Sequence, residues 1–114
     1  MDILVDLLES KQNIQIKVNG EIDAYTAPLL KEKLASAQET EGLNAVLDLT
    51  DVSYMDSTGL GVFVGFYKAV KANGGHVKIV GLSPRLKRLF DITGLGELMD
   101  IETAGKGEVN NETI

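Results

Sequence analysis

The chain contains no cysteine and a single histidine, His76. The first absence excludes a disulfide framework, a thiolate nucleophile and any cysteine-built metal centre. Runs of lysine or arginine are missing too: the densest basic cluster is Arg85, Lys87 and Arg88, and the formal net charge is −6. Nucleic-acid binding depends on neutralising phosphates, so an acidic chain without a basic stripe is expected to make no direct contact with nucleic acid. The small cluster reads as a solvated helix face. No apolar stretch approaches the ~20 residues needed to span a bilayer, and the first residues lack the basic-then-apolar pattern of an export signal. The expected location is the cytoplasm, with no membrane contact.

What remains is an ordinary globular composition. The 114 residues are 44% hydrophobic and 25% charged, which suits a single domain with a modest core and a body that is not disordered. A chain of this size buries roughly two-thirds of the surface its unfolded form exposes.

Ile3 to Leu8 is mostly apolar, and Asn13 to Val18 alternates, with Ile14, Ile16 and Val18 against Gln15 and Lys17. Period two marks a half-buried strand, and the polar turn at 9–12 makes the pair a hairpin. Asn19-Gly20 is expected to break the second strand. Thr26 then stands as N-cap to a helix with Pro28 in its first turn. Leu30, Leu34 and Ala37 recur at helical spacing, and the helix is expected to end near Glu41-Gly42. Asn44 to Thr50 is dense in apolar residues, as a buried strand is. A loop follows, then a helix from Ser57 to about Asn73, stopped by Gly74-Gly75. His76 to Val80 reads as a strand. Ser83 and Pro84 open a third helix with Leu86, Leu89 and Phe90 on its apolar face, and Thr93-Gly94 closes it. A short last strand is expected over 98–102.

The order ββαβαβαβ predicts an α/β domain: a single mixed β-sheet whose helical crossovers favour parallel pairing of the later strands. The domain is expected to cover 1–103, and the polar residues 104–114 to form a mobile tail.

The stretch from Val46 to Gly61 passes from a buried strand through a loop into a helix beginning Asp56-Ser57-Thr58-Gly59. Junctions of this kind present side chains and free N–H groups at a sheet edge. Ser57 has three readings there. It can cap the helix, accepting from a first-turn N–H. It can be a catalytic nucleophile, although the Gly-x-Ser-x-Gly elbow would need glycine at Met55, and His76 is the sole candidate base. Or it can be a regulated phosphoacceptor, because an exposed hydroxyl at a helix start can take a charge of about −1.5 to −2 without unfolding the domain. In the helix that follows, Leu60, Phe63, Val64, Tyr67 and Val70 suffice to cover a sheet. Val62, Phe66 and Ala69 form a second apolar face, and Gly61 and Gly65 lie one turn apart on a third that allows close backbone approach. Deep burial and a protein interface both fit that pattern.

Three segments stand in register: Leu47-Asp-Leu-Thr with Met55-Asp-Ser-Thr-Gly-Leu-Gly61, then Gly20-Glu-Ile-Asp-Ala-Tyr-Thr-Ala27, and Leu82-Ser-Pro through Thr-Gly-Leu95. Together they resemble the STAS domain, specifically the bacterial anti-sigma factor antagonists of the RsbV and SpoIIAA kind. The likeness spans about residues 2 to 102. It implies the STAS fold and a binding switch rather than an enzyme. The unphosphorylated form would bind an anti-sigma factor that is also a GHKL-type serine kinase, releasing a sigma factor. Phosphorylation at Ser57 would end binding, and a PP2C-type phosphatase would restore it. ATP and magnesium would belong to the kinase, so no cofactor is expected here. The resemblance puts Asp23, Tyr25, Met55, Asp56, Thr58, Gly59, Leu60 and Gly61 at the partner interface, with Thr58 a minor acceptor. Asp23 equally suits a turn former, and Asp48 a structural hydrogen-bonding partner. STAS domains also serve in transporters, which need membrane helices, and in stressosome scaffolds, which carry an added N-terminal domain. The remaining alternative is a small-ligand sensor holding an anion at the Ser57 helix start.

Overall fold

The computed structural model describes residues 3–10, 12–94 and 100–103. In chain order these form β1 (Ile3–Ser10), β2 (Asn13–Ile22), α1 (Ala27–Gln38), β3 (Asn44–Met55), α2 (Ser57–Ala72), β4 (His76–Leu82), α3 (Pro84–Ile92) and β5 (Asp100–Thr103). The sheet runs β1-β2-β3-β4-β5. β1 and β2 are antiparallel, and every later pair is parallel. This is the expected mixed α/β sheet. Each helix links neighbouring parallel strands, and such crossovers are right-handed almost without exception. Three of them stepping in one direction put all three helices on one face.

Burial follows from that arrangement. Ile14, Ile16 and Val18 of β2, Ala45, Leu47 and Leu49 of β3, and Val77 and Ile79 of β4 are all buried on the helical face. The alternate residues Gln15, Lys17 and Asn19 are exposed. α1 contributes Leu30 and Leu34, α2 Phe63, Phe66 and Val70, and α3 Leu86 and Phe90. The apolar positions read at helical spacing are thus the ones that close the core.

Several boundaries differ from the sequence reading. β2 does not stop at Asn19-Gly20 but continues to Ile22, with register shifts at Lys17/Asn19 and Gly20/Glu21. Gly20 has φ 118°, a conformation open to glycine, so the Asn-Gly pair bends the strand without ending it. β3 likewise runs past Thr50 to Met55, because 51–55 pairs with the same extension of β2: Val52 with Gly20, Tyr54 with Glu21 and Met55 with Ile22. Each extension is stabilised by the other. α1 ends at Gln38, ahead of the expected Glu41-Gly42, where the Thr40 N–H turns back to the Ala37 carbonyl. β4 reaches Leu82; β5 spans Asp100–Thr103, and positions 98–99 of its expected range lie outside the described residues. Thr26 holds the N-cap position of α1 but makes no side-chain cap. Its Oγ1 instead donates to the Glu21 carbonyl at 2.7 Å and accepts from the Asp23 N–H at 2.9 Å. Ser83 does cap α3, accepting from the Leu86 N–H at 3.2 Å.

Gly61 and Gly65 are exposed, with open space where a Cβ would stand. The close backbone approach these glycines allow is therefore not used by the described residues. Residues 104–114, expected as a mobile tail, lie outside the described residues. Among the described residues no helix is long and apolar enough to cross a membrane.

Candidate docking and phosphorylation site

Two junctions meet at the carboxyl end of the parallel strands, where open α/β sheets present their sites. The β2–α1 turn holds Asp23 and Tyr25, and the β3–α2 junction holds Met55 to Gly61. The paired ends of β2 and β3 keep the two side by side, and the Asp56 N–H donates to the Ile22 carbonyl at 3.3 Å.

Asp56 is the cap of α2. Its backbone is extended, and Oδ1 accepts from the Thr58 and Gly59 N–H groups at 3.0 and 3.2 Å. This corrects the reading of Ser57 as the cap: Ser57 is the first helical residue, and it is exposed. Its hydroxyl is relieved of capping, and two N–H donors that an anion at this helix start would use are already held by a carboxylate. Replacing Asp56 with alanine is expected to lower unfolding free energy by about 1 kcal/mol. In a domain of this size that lowers Tm by about 5 °C in a thermal melt.

The remaining residues divide by depth. Tyr25, Ser57, Thr58 and Gly61 are exposed and Asp56 is half-buried, whereas Asp23, Met55, Gly59 and Leu60 are buried. The buried four therefore shape the surface from beneath. Gly59 is the tightest point: a Cβ there would run into the Ile22 side chain and stand 3.1 Å from the Ile22 carbonyl oxygen. Glycine lets the first turn of α2 sit against the end of β2.

Asp23 acts as a turn former. Its Oδ1 accepts from the Tyr25 and Thr26 N–H groups at 2.9 and 3.1 Å, and its carbonyl accepts from Ala27 at 2.8 Å. The turn projects Tyr25, which is 86% exposed. Asp23 Oδ2 is buried and finds no hydrogen-bond partner among the described residues. Asp48 keeps its structural role, accepting from the Thr50 N–H and hydroxyl at 3.0 and 2.6 Å.

The structure places His76 out of reach of Ser57 as a base. His76 opens β4 opposite Asn44, at the far end of β3 from the serine, a strand length of roughly 35 Å at ~3.3 Å per residue.

A profile of the STAS domain matches residues 5–106. The chain belongs to the STAS family. Within the family it is 52% identical over 109 residues to the anti-sigma-B factor antagonist of Bacillus subtilis strain 168, covering 96% of this chain and 99% of that protein. It is 50% identical over 111 residues to the anti-sigma-B factor antagonist of Listeria monocytogenes, covering 96% of each. Among solved structures, an anti-sigma factor antagonist from Mycobacterium paratuberculosis superposes with a TM-score of 0.79 at 25% identity, over 89% of this chain and 86% of that one. The antagonist SpoIIAA in its unphosphorylated form gives 0.76 at 22% identity, over 94% and 100%. The latter likeness shows the fold.

Proposed function

We propose that this chain is an anti-sigma factor antagonist switched by phosphorylation of Ser57. Unphosphorylated, it binds an anti-sigma factor that is also a GHKL-type serine kinase, and the sigma factor held by that partner is released. Phosphate on Ser57 ends the binding, and a PP2C-type phosphatase restores it. The chain itself is no enzyme, carries no cofactor and works in the cytoplasm.

The observation that carries this reading is the pairing of an exposed Ser57 hydroxyl with Asp56 as cap. Because the carboxylate already holds the Thr58 and Gly59 donors, a phosphate on the neighbouring hydroxyl gains little from the helix start. It adds its charge beside Asp56, and the effect falls on whatever docks over the site. The same occupancy weighs against an anion sensor, whose ligand would have to displace Asp56. The names of the relatives at about half identity support the choice of partner.

The test is release. Unphosphorylated chain added to a preformed complex of anti-sigma-B factor and its sigma factor is expected to free the sigma factor stoichiometrically, followed by native gel or size exclusion. A complex left intact by excess chain rejects the reading.

A further inference from the structure

Of the named site residues only Tyr25, Ser57, Thr58 and Gly61 are exposed, whereas a stable interface engages roughly 20–30 residues a side. A second surface begins where this one ends. Between the end of β3 and α3 lies a groove of about 220 Å³, walled by Tyr54, Met55, Leu86, Leu89 and Ile92 and rimmed by Arg85 and Arg88. Met55, which lines it, stands two residues before Ser57 in the chain.

Two features mark the groove as unfinished. Ile92 is 76% exposed and Tyr54 45% exposed, so two large apolar groups stand in water beside buried Leu86 and Met55. Exposed apolar groups gathered round a concavity, unlike single ones, mark contact sites. The rim is also cationic on an acidic molecule. Lys87 is paired with Asp91 at 2.9 Å and Lys17 with Asp51 at 3.4 Å, whereas Arg85 and Arg88 form no ion pair among the described residues. Arg85, Arg88, Leu89 and Ile92 recur at i, i+3, i+4 and i+7 along α3, so cations and apolar groups lie along one helix face.

We infer that this groove is the second half of the anti-sigma factor's docking surface and takes an acidic segment carrying apolar residues. The inference rests on the proposed function. Apolar side chains of the segment cover Ile92 and Tyr54, and its carboxylates meet the guanidinium groups, which favour bidentate carboxylate pairing. The surface then runs unbroken from Tyr25 past Ser57 to Ile92, with the phosphoacceptor inside it rather than at its margin.

The experiment titrates purified anti-sigma-B factor with wild type, the double variant R85E/R88E, I92D and S57E, following heat of binding at two salt concentrations. The three altered α3 residues are exposed, so the melting curves should match wild type. Affinity is expected to fall about tenfold or more in R85E/R88E and in I92D, with a flatter salt dependence in the arginine variant. Wild-type affinity in both α3 variants, with S57E impaired, overturns the groove and leaves the proposed function standing. If wild type itself does not bind, both fall. If I92D instead abolishes a self-association seen by sedimentation and leaves partner binding unchanged, the groove joins copies of this chain and the inference is wrong.

Discussion

Exchange of Ser57 for glutamate is expected to leave the fold intact and to weaken binding to the anti-sigma factor about a hundredfold. The first half follows from position. Ser57 is exposed at the first helical residue of α2, where a negative charge is favoured by the helix dipole and opposed by Asp56 beside it. The two contributions are of similar size, so unfolding free energy should change by less than about 0.5 kcal/mol, as for most surface substitutions. The second half follows from desolvation. A contact shaped for a hydroxyl has no counter-charge for a carboxylate, and burying an unmatched charge costs about 3 kcal/mol or more, which is roughly a hundredfold in affinity. Ser57→Ala loses only the hydroxyl and should bind within a few-fold of wild type. Calorimetric titration of the three proteins decides it, and S57E binding as tightly as wild type would remove the switch.

Gly59→Ala is expected to destabilise the domain by about 3 kcal/mol, the upper end of what an inserted methyl costs in a tight site. The new Cβ would collide with the side chain of Ile22, which is fully buried, and would press on its carbonyl oxygen at 3.1 Å. That carbonyl also accepts from the Asp56 N–H, so relief of the clash must move either the end of β2 or the cap of α2. Gly65→Ala provides the contrast within the same helix. Nothing among the described residues stands within 4 Å of its Cβ position, and alanine is favoured over glycine in a helix by about 1 kcal/mol. Urea unfolding should therefore shift to lower midpoint for G59A and to higher midpoint for G65A. Equal stability of G59A and wild type would mean that α2 does not approach β2 as described.

The sequence carried most of the fold because its signals are local and periodic. Alternation in β2, the 3.6-residue spacing in α1 and α3, and the Ser83-Pro84 start all depend on residues within a few positions of each other. What it missed depends on contacts between distant residues. The stretch 51–55 reads as polar loop, with Asp51 and Ser53 interleaved among Val52 and Tyr54, and becomes strand only because 20–22 pairs with it. Asn19-Gly20 has the composition of a turn, yet it serves as an irregularity inside β2. Sequence reasoning offered Ser57 as the cap of α2 and missed Asp56, although both residue types cap well. The extended backbone at Asp56 decides it.

The site was legible in part for the same reason. Ser57 stands out by its motif, and its exposure agrees with a reactive hydroxyl. Asp23 was balanced between turn and interface, and its two accepted N–H bonds and burial make it a turn former that projects Tyr25. The groove at α3 left no trace in the motif reading, because Tyr54 and Ile92 belong to segments far apart in sequence and Arg85 and Arg88 resemble an ordinary solvated face. Only the extension of β3 brings them together.

Ser57 is proposed as the residue that accepts the phosphate. The measurement is mass-spectrometric mapping of the phosphate after incubating wild type and Ser57→Ala with the anti-sigma factor kinase, ATP and magnesium. The predicted result is one phosphate on Ser57 of wild type and none on Ser57→Ala, which still binds the kinase. Phosphate on Thr58, or a Ser57→Ala chain labelled as fully as wild type, would contradict it.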